Sequence, residues 1–329
     1  MARMNRDRRL RLLTAALCLI LGLAAVGMRS RAAGSLAAQT AADRWAPQGG
    51  WKQLTVLYTD GAGPDEMTAL QARSTIQSAL ASDGLETAEV PMALSRQLTL
   101  TVTAGDRSAT ARVVAVSGDW FTLHAPEMVS GWYFSDNDAG DDLVIPDRTL
   151  AWSLFGGTDL TGLTMSVGGQ TCAIAGVAEL PTGSEAEEYG SEGTLWISWG
   201  LLSRLTDAPT ATCVEALLPE PVADYAATAL NKALSPPEGK SLLIDNTDRY
   251  TLAASLRALT HQGTADRGSG ITVPWWEYAA RTQESRVAAW TLAACLLLTW
   301  PTGYALYKLI RLARRAKRRL DTEIKRRRS

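Results

Sequence analysis

The sequence predicts an α+β domain, built of strand-helix-strand units with an inserted β-rich part, held between two transmembrane helices. Three observations carry this prediction. Two apolar stretches, residues 12–28 and 287–306, stand at opposite ends of the 329-residue chain, each with arginines on its outer side. Strand-helix-strand patterns occur at about 54–90 and again at about 212–260. Between them, over about 95–206, apolar residues alternate with polar ones at the period of two that marks strands.

The basic N-terminus, residues 1–11, carries Arg3, Arg6, Arg8, Arg9 and Arg11 against Asp7 alone. The first apolar stretch, 12–28, approaches the roughly 20 residues that a helix needs to cross a bilayer core. A basic start followed by Ala25-Val26-Gly27 also suits a cleaved signal peptide, and this alternative stays open; either way the following domain is exported. Residues 29–50 are small and polar and end in proline and glycine, which reads as a tether.

A core domain is expected over 51–273. Leu54, Val56 and Tyr58 alternate with Thr55, Leu57 and Thr59, the pattern of a strand. Pro64, Asp65 and Glu66 open a helix, because proline is tolerated in the first turn and acids suit its positive end; Gly84 stops it. In the insert, 98–103 and 111–116 flank Gly105-Asp106 as a hairpin, and 163–167 and 171–177 flank Gly168-Gly169, where positive φ is cheap. A helix at about 148–155 ends at Gly156-Gly157. Residues 181–193, rich in Glu, Gly and Ser, read as a loop. After a strand at 213–218, Pro219 and Pro221 introduce a helix with Val222, Tyr225, Ala226, Ala229, Leu230 and Ala233 on one face. A strand at 241–244 and a helix at about 247–260 complete the domain.

The juxtamembrane segment, 274–286, holds Trp275, Trp276 and Tyr278, aromatics that suit the headgroup region, with a packed loop as the alternative. The second span, 287–306, contains Pro301 and Gly303, expected kink sites. The tail, 307–329, places Ile310, Ala313, Leu320 and Ile324 among arginines, a basic amphipathic helix that lies on anionic membrane lipid or on a partner's cytoplasmic face.

The formal net charge of −1 hides a division: residues 32–285 carry 14 Lys plus Arg against 31 Asp plus Glu, a net of −17, and the termini carry the balancing positive charge. The positive-inside rule therefore places both termini in the cytoplasm and the domain outside the cell membrane. So acidic a domain argues against nucleic acid as a partner. The chain has no G-x-x-x-x-G-K-[ST] phosphate loop and no G-x-S-x-G elbow, so neither ATP binding by that route nor hydrolase chemistry is expected. His124 and His261 have no Cys or His at ligand spacing and read as ordinary polar positions. The acidic run Asp136, Asp138, Asp141 and Asp142 lacks the closing Glu of a calcium loop and reads as a solvated turn. No catalytic, cofactor-binding or metal-binding residue is assigned, and the chain is not expected to be an enzyme. Cys18 and Cys295 fall in the spans, while Cys172 and Cys213 fall in strand-like segments and read as small buried thiols; their pairing stays open. Trp120, Phe121, Trp132, Tyr133, Phe134 and Trp152 are expected to form the core of the β-rich part, with a ligand or partner groove as the alternative.

Residues 113–179 carry a series of short motifs: Ser117-Gly118-Asp119-Trp120-Phe121, Ser130-Gly131-Trp132, Leu143-Val144-Ile145, the run AWSLFG at 151–156, Gly162, Gly168-Gly169 and Ala175-Gly176-Val177. In order and spacing this series resembles the periplasmic core domain of MacB-like ABC transporter permeases, and with the first span the resemblance covers about residues 10–260. The resemblance implies a porter-like part of strand-helix-strand units with a β-rich insert. It also implies membership of a complex in which a separate cytoplasmic ATPase moves the exported domains through membrane helices. Such permeases have three further spans after the core domain, whereas one is found here, so a polytopic permease is an implied partner and a homo-oligomer is possible. A reduced member reused as a membrane-anchored sensor or scaffold is the alternative.

Overall fold

The computed structural model describes residues 2–85, 89–135, 142–180, 193–247, 249–258 and 270–328. It divides into two compact units, a membrane unit of 1–33, 250–261 and 284–329, and a domain of 34–249 and 262–283.

The domain is organised by one sheet of nine strands. In chain order its strands are β1 (Trp51–Tyr58), β2 (Met92–Ala104), β3 (Arg107–Gly118), β5 (Leu143–Pro146), β6 (Thr164–Val167), β7 (Gln170–Ile174), β9 (Thr194–Ser198), β10 (Cys213–Pro219) and β11 (Ser241–Asp245). A separate antiparallel pair joins β4 (Glu127–Gly131) to β8 (Gly176–Glu179). The order across the large sheet is β11-β1-β10-β2-β3-β9-β5-β7-β6, and β6 also pairs with β2 through Val102↔Val167. That last pairing closes β2, β3, β9, β5, β7 and β6 into a ring of six strands. The β-rich insert therefore does not stand apart from the strand-helix-strand part. The 13 residues of β2 serve both, pairing with β10 at Met92–Ser95 and with β6 at Val102–Thr103.

Helices α3 (Glu66–Ser82) and α7 (Tyr225–Leu234) bury Ala69, Ala72, Ile76 and Leu80, and Ala226, Leu230 and Leu234. These pack with Leu54, Val56, Val214 and Ala216 on one face of the sheet. The start of α3 follows the sequence prediction, since the Asp65 carboxylate accepts from the Thr68 amide at 2.7 Å and satisfies an otherwise unpaired donor. Because successive side chains of a strand point to opposite faces, the residues between the apolar positions, Gln53, Thr55 and Leu57 in β1 and Cys213, Glu215 and Leu217 in β10, share the other face. All six are buried, although alternation alone suggests a solvated polar face. Chain on either side of the membrane spans covers them.

The expected tether is the first such segment. Residues 34–50 form a 3-10 turn (Ala37–Gln39) and α2 (Ala41–Trp45), with Leu36, Ala41 and Ala42 buried. Their small side chains permit close approach to the sheet, a use of alanine that composition does not distinguish from a flexible linker. The second is 270–283, which enters α9 (Trp275–Arg328). Trp275 and Trp276 are 7% and 4% exposed and lie in the domain core, so the packed alternative holds for them rather than a headgroup belt; only Tyr278 of the three is exposed.

The remaining short helices are α4 (Trp120–His124), α5 (Arg148–Phe155), α6 (Trp199–Leu205) and α8 (Leu252–Ala258). Of the expected aromatic core, Trp120, Phe121 and Phe134 are buried, while Trp132 and Trp152 are 55% and 56% exposed and Tyr133 is exposed. Strand β4 ends at Gly131, one residue short of Trp132, and Trp152 lies on the outer side of α5, opposite Leu150, Ala151 and Leu154. Most of 181–193 and of the acidic run, and His261, lie outside the described residues.

Within the membrane unit, α1 (Ala2–Ala33) and α9 from Glu284 onward supply two candidate spans. The residues buried along these helices are small or β-branched and recur on one side of each: Ala15, Gly22 and Ala25 on α1, and Val287, Ala288, Thr291 and Ala294 on α9. A Cβ at Gly22 would stand 2.5 Å from Leu298, so glycine there permits the approach. Arg29 donates to Thr291 Oγ1 at 2.9 Å and to the Tyr250 carbonyl at 2.6 Å. Pro301 lies within the continuous helix α9.

Candidate functional site

The functional candidate is the face of the sheet on which both connectors to the membrane spans are seated. The first connector is tied by Gln53, whose side chain accepts from the Ala41 amide at 3.1 Å and donates to the Ala38 carbonyl. Arg44 of α2 donates to the carbonyls of Thr122 and Leu123 at 3.0 and 2.8 Å, satisfying the C-terminal end of α4. The second connector continues the sheet briefly, with an isolated bridge Thr59↔Ile271 and the Thr272 amide donating to the Tyr58 carbonyl at 3.0 Å.

A buried charge cluster joins the two connectors. Arg249 Nη1 donates to Glu277 Oε2 and to Gln39 Oε1, both at 2.9 Å, while its Nη2 reaches Glu277 Oε1. Arg281 Nε adds a third cationic donor to Glu277 at 2.9 Å. The Arg249 and Glu277 side chains are 6% and 3% exposed, so the attraction acts with little water screening, and the two-pronged geometry uses the guanidinium fork. Gln283 donates to Ser35 at 2.9 Å, a second tie between the two connectors.

Beside the clamp lies an aromatic cluster. The Trp120 ring stacks on His124 at 4.0 Å with 8° between planes, and Trp276 stands edge-on to both, at 5.9 and 4.9 Å. His124 Nε2 lies 2.6 Å from Glu215 Oε2, and both side chains are buried. His124 is thus not the ordinary polar position expected from the sequence: it shares a hydrogen bond with Glu215, the one acid of β10. A cavity of about 390 Å³ opens here, walled by Trp120, Trp196, Trp275 and Trp276, with Glu127 and Glu179 also lining it.

The motif residues position this cluster. Gly118 has φ +71°, and a Cβ there would stand 2.3 Å from the Met92 carbonyl oxygen, so the corner after β3 admits only glycine without a backbone shift. Asp119 then closes the corner by accepting from the Met92 amide at 3.1 Å, and Trp120 follows directly, aimed into the cluster. Gly131 and Gly176 serve the close β4–β8 pairing, with added Cβ atoms 2.1 and 2.4 Å from opposing carbonyl oxygens.

Two titrating groups yield predictions. Asp147 is 1% exposed, caps α5 by accepting from the Leu150 amide at 2.7 Å, and accepts from the Thr194 amide at 2.9 Å. Burial pushes its pKa up to about 6, the two amides opposing the rise. A carboxyl whose pKa is raised on folding contributes stability that is fully present below its unfolded value near 4 and lost as pH rises through 6, about 3 kcal/mol in all. Denaturant titrations at pH 5 and pH 7.5 should therefore show a loss with rising pH that is much smaller in Asp147→Asn. Cys172 and Cys213 are both free and buried; burial pushes the Cys172 thiol up to about 11 and the Cys213 thiol well above its usual range. Maleimide at neutral pH should leave both unlabelled until denaturant is added, since the thiolate is the reactive form.

Among the described residues no group of three or more His, Cys, Asp or Glu side chains converges as for a metal ion. Sequence reasoning missed Gln39, Glu215, Arg249 and Glu277. One signal was legible: Glu215 sits inside an otherwise apolar strand, CVEALLP, where an acid requires a partner.

Fold and site together define an α+β domain in which both connector segments, 34–50 and 270–283, are seated on one sheet face. The profile of the MacB-like periplasmic core domain family matches residues 13–231, and the chain belongs to this family. It is a membrane protein of the ABC-transporter permease type, with its extracytoplasmic domain between two candidate spans. No curated protein matches the sequence. Among solved structures the chain is similar to the extracellular domain of the noncanonic ABC-type transporter YknZ from Gram-positive bacteria, with 16% identity, a TM-score of 0.42, and coverage of 58% of this chain and 99% of that one. It is also similar to the periplasmic region of MacB from Actinobacillus actinomycetemcomitans, with 12% identity, a TM-score of 0.45, and coverage of 61% and 92%.

Proposed function

We propose that this chain is the extracytoplasmic arm of an ABC-type export complex, in which a separate cytoplasmic ATPase and a polytopic permease act with it and motion passes between membrane and domain through its two connectors. The observation that supports this reading is the clamp of Arg249, Glu277 and Gln39, which ties both connectors to each other within the domain. A displacement of either span is then felt at one shared seat rather than absorbed by a loose tether. Both termini are cytoplasmic in this reading, by the charge asymmetry of the ends, and α1 is retained because its small-residue face pairs with α9. The domain itself performs no chemistry.

Gentle solubilisation of native membranes, purification of the chain and mass spectrometry of what accompanies it test the proposal. Co-purification of a nucleotide-binding ATPase with a polytopic permease is the expected result. Recovery alone, or with envelope proteins only, overturns it in favour of a membrane-anchored sensor, a reading that the aromatic cavity would then serve.

A further inference from the structure

The cavity beside the connector seat carries one carboxylate, Glu127, that no cation of the described fold pairs. Glu127 and Glu179 both line it, and they stand directly opposite each other in the β4–β8 register. Like charges facing across paired strands are destabilising. Glu179 is bound by Arg148, but Glu127 is exposed and has no cationic partner among the described residues. Among the described residues no lysine or arginine lines the cavity. Trp120, Trp196, Trp275 and Trp276 all line the space and give it an aromatic wall.

We propose that this cavity binds an apolar organic cation. The ammonium group lies beside the Glu127 carboxylate at the tryptophan-lined wall, where the unpaired acid and the ring quadrupoles favour positive charge. The apolar body fills the space between the tryptophans, whose volume of about 390 Å³ suits a small drug-sized molecule. Because Ser35–Ala38 of the first connector and Trp275–Trp276 of the second line the same cavity, an occupant touches both. Such a cation could come from an amine-bearing lipid headgroup or from a free amphiphile. The inference does not depend on the transport reading.

The test uses the full chain in phosphatidylglycerol nanodiscs and equilibrium dialysis with benzoylcholine, compared with 3,3-dimethylbutyl benzoate, its uncharged carbon isostere, and with empty nanodiscs as background. Benzoylcholine is expected to bind at least tenfold more tightly than the isostere. Glu127→Gln should weaken it about tenfold, and Glu127→Lys, which relieves the facing-acid repulsion and so leaves folding intact, should abolish it. Equal binding of the two probes, or cation affinity unchanged in both Glu127 variants, overturns the proposal. Repeating the measurement in phosphatidylethanolamine nanodiscs separates the sources: a severalfold loss of benzoylcholine affinity assigns the site to the lipid amine, and unchanged affinity assigns it to a free cation.

Discussion

Replacing Glu277 by leucine is expected to destabilise the domain by about 3–5 kcal/mol, because it leaves the Arg249 guanidinium buried without its carboxylate. The single change removes the acceptor for two arginines at once, and Arg249 at 6% exposure cannot recover the loss by turning to water. Gln39 remains to it as an acceptor, but a neutral one that does not replace the lost carboxylate. Guanidinium titration of the purified full-length chain, followed by circular dichroism, reads the effect. The double variant Arg249→Met with Glu277→Leu should regain most of the loss, since an apolar pair of similar volume often substitutes for a buried ion pair without penalty. The double variant also separates stability from function. A chain that folds normally, retains its ATPase and permease partners and yet no longer couples them is the result expected of the proposed arm. Normal coupling in the double variant would mean that the clamp only stabilises.

Trp120→Ala is expected to cost a similar amount, about 3–5 kcal/mol, as the usual consequence of deleting a fully buried large aromatic side chain. Trp120 is 1% exposed and touches His124, Phe121, Trp196 and Trp276, so its loss opens a hole at the centre of the connector seat. Trp120→Phe should retain more than half of the stability by keeping an aromatic face against His124. Thermal unfolding of the three proteins side by side checks the order. A loss below about 1 kcal/mol for the alanine variant would show that the cluster collapses around the gap and is not a rigid seat.

Local chemistry explains which parts of this protein could be read in advance. The hairpins at Gly105-Asp106 and Gly168-Gly169 depend on turns only a few residues long, and they fall where the sequence predicts, between β2 and β3 and between β6 and β7. Helix α3 begins at its capping acid and α5 ends at Gly156, which has φ +78°. The series from Ser117 to Val177 was legible because its glycines answer backbone constraints, such as the Met92 carbonyl against Gly118, that leave no other residue type. Trp132 and Trp152 illustrate the opposite case. Hydrophobicity indicates that a tryptophan is costly to expose, but not which side of a short strand end or helix it occupies.

The sequence by itself left β4, β5, β9, α4 and α6 unassigned but determined the apolar stretch at each end, the charge division between termini and domain, the strand-helix-strand units and the glycine turns of the two hairpins. These follow from composition, periodicity and the few residues that tolerate special backbone angles. Tertiary structure alone decided that β6 returns to β2 and closes a ring, that residues 34–46 are seated rather than free, and that Arg249 meets Glu277 and Gln39. Such pairings join residues as far apart as 39 and 249, and no local pattern encodes them. They depend on which face of the sheet each strand turns to the connectors, a choice that exists only once the strands have paired.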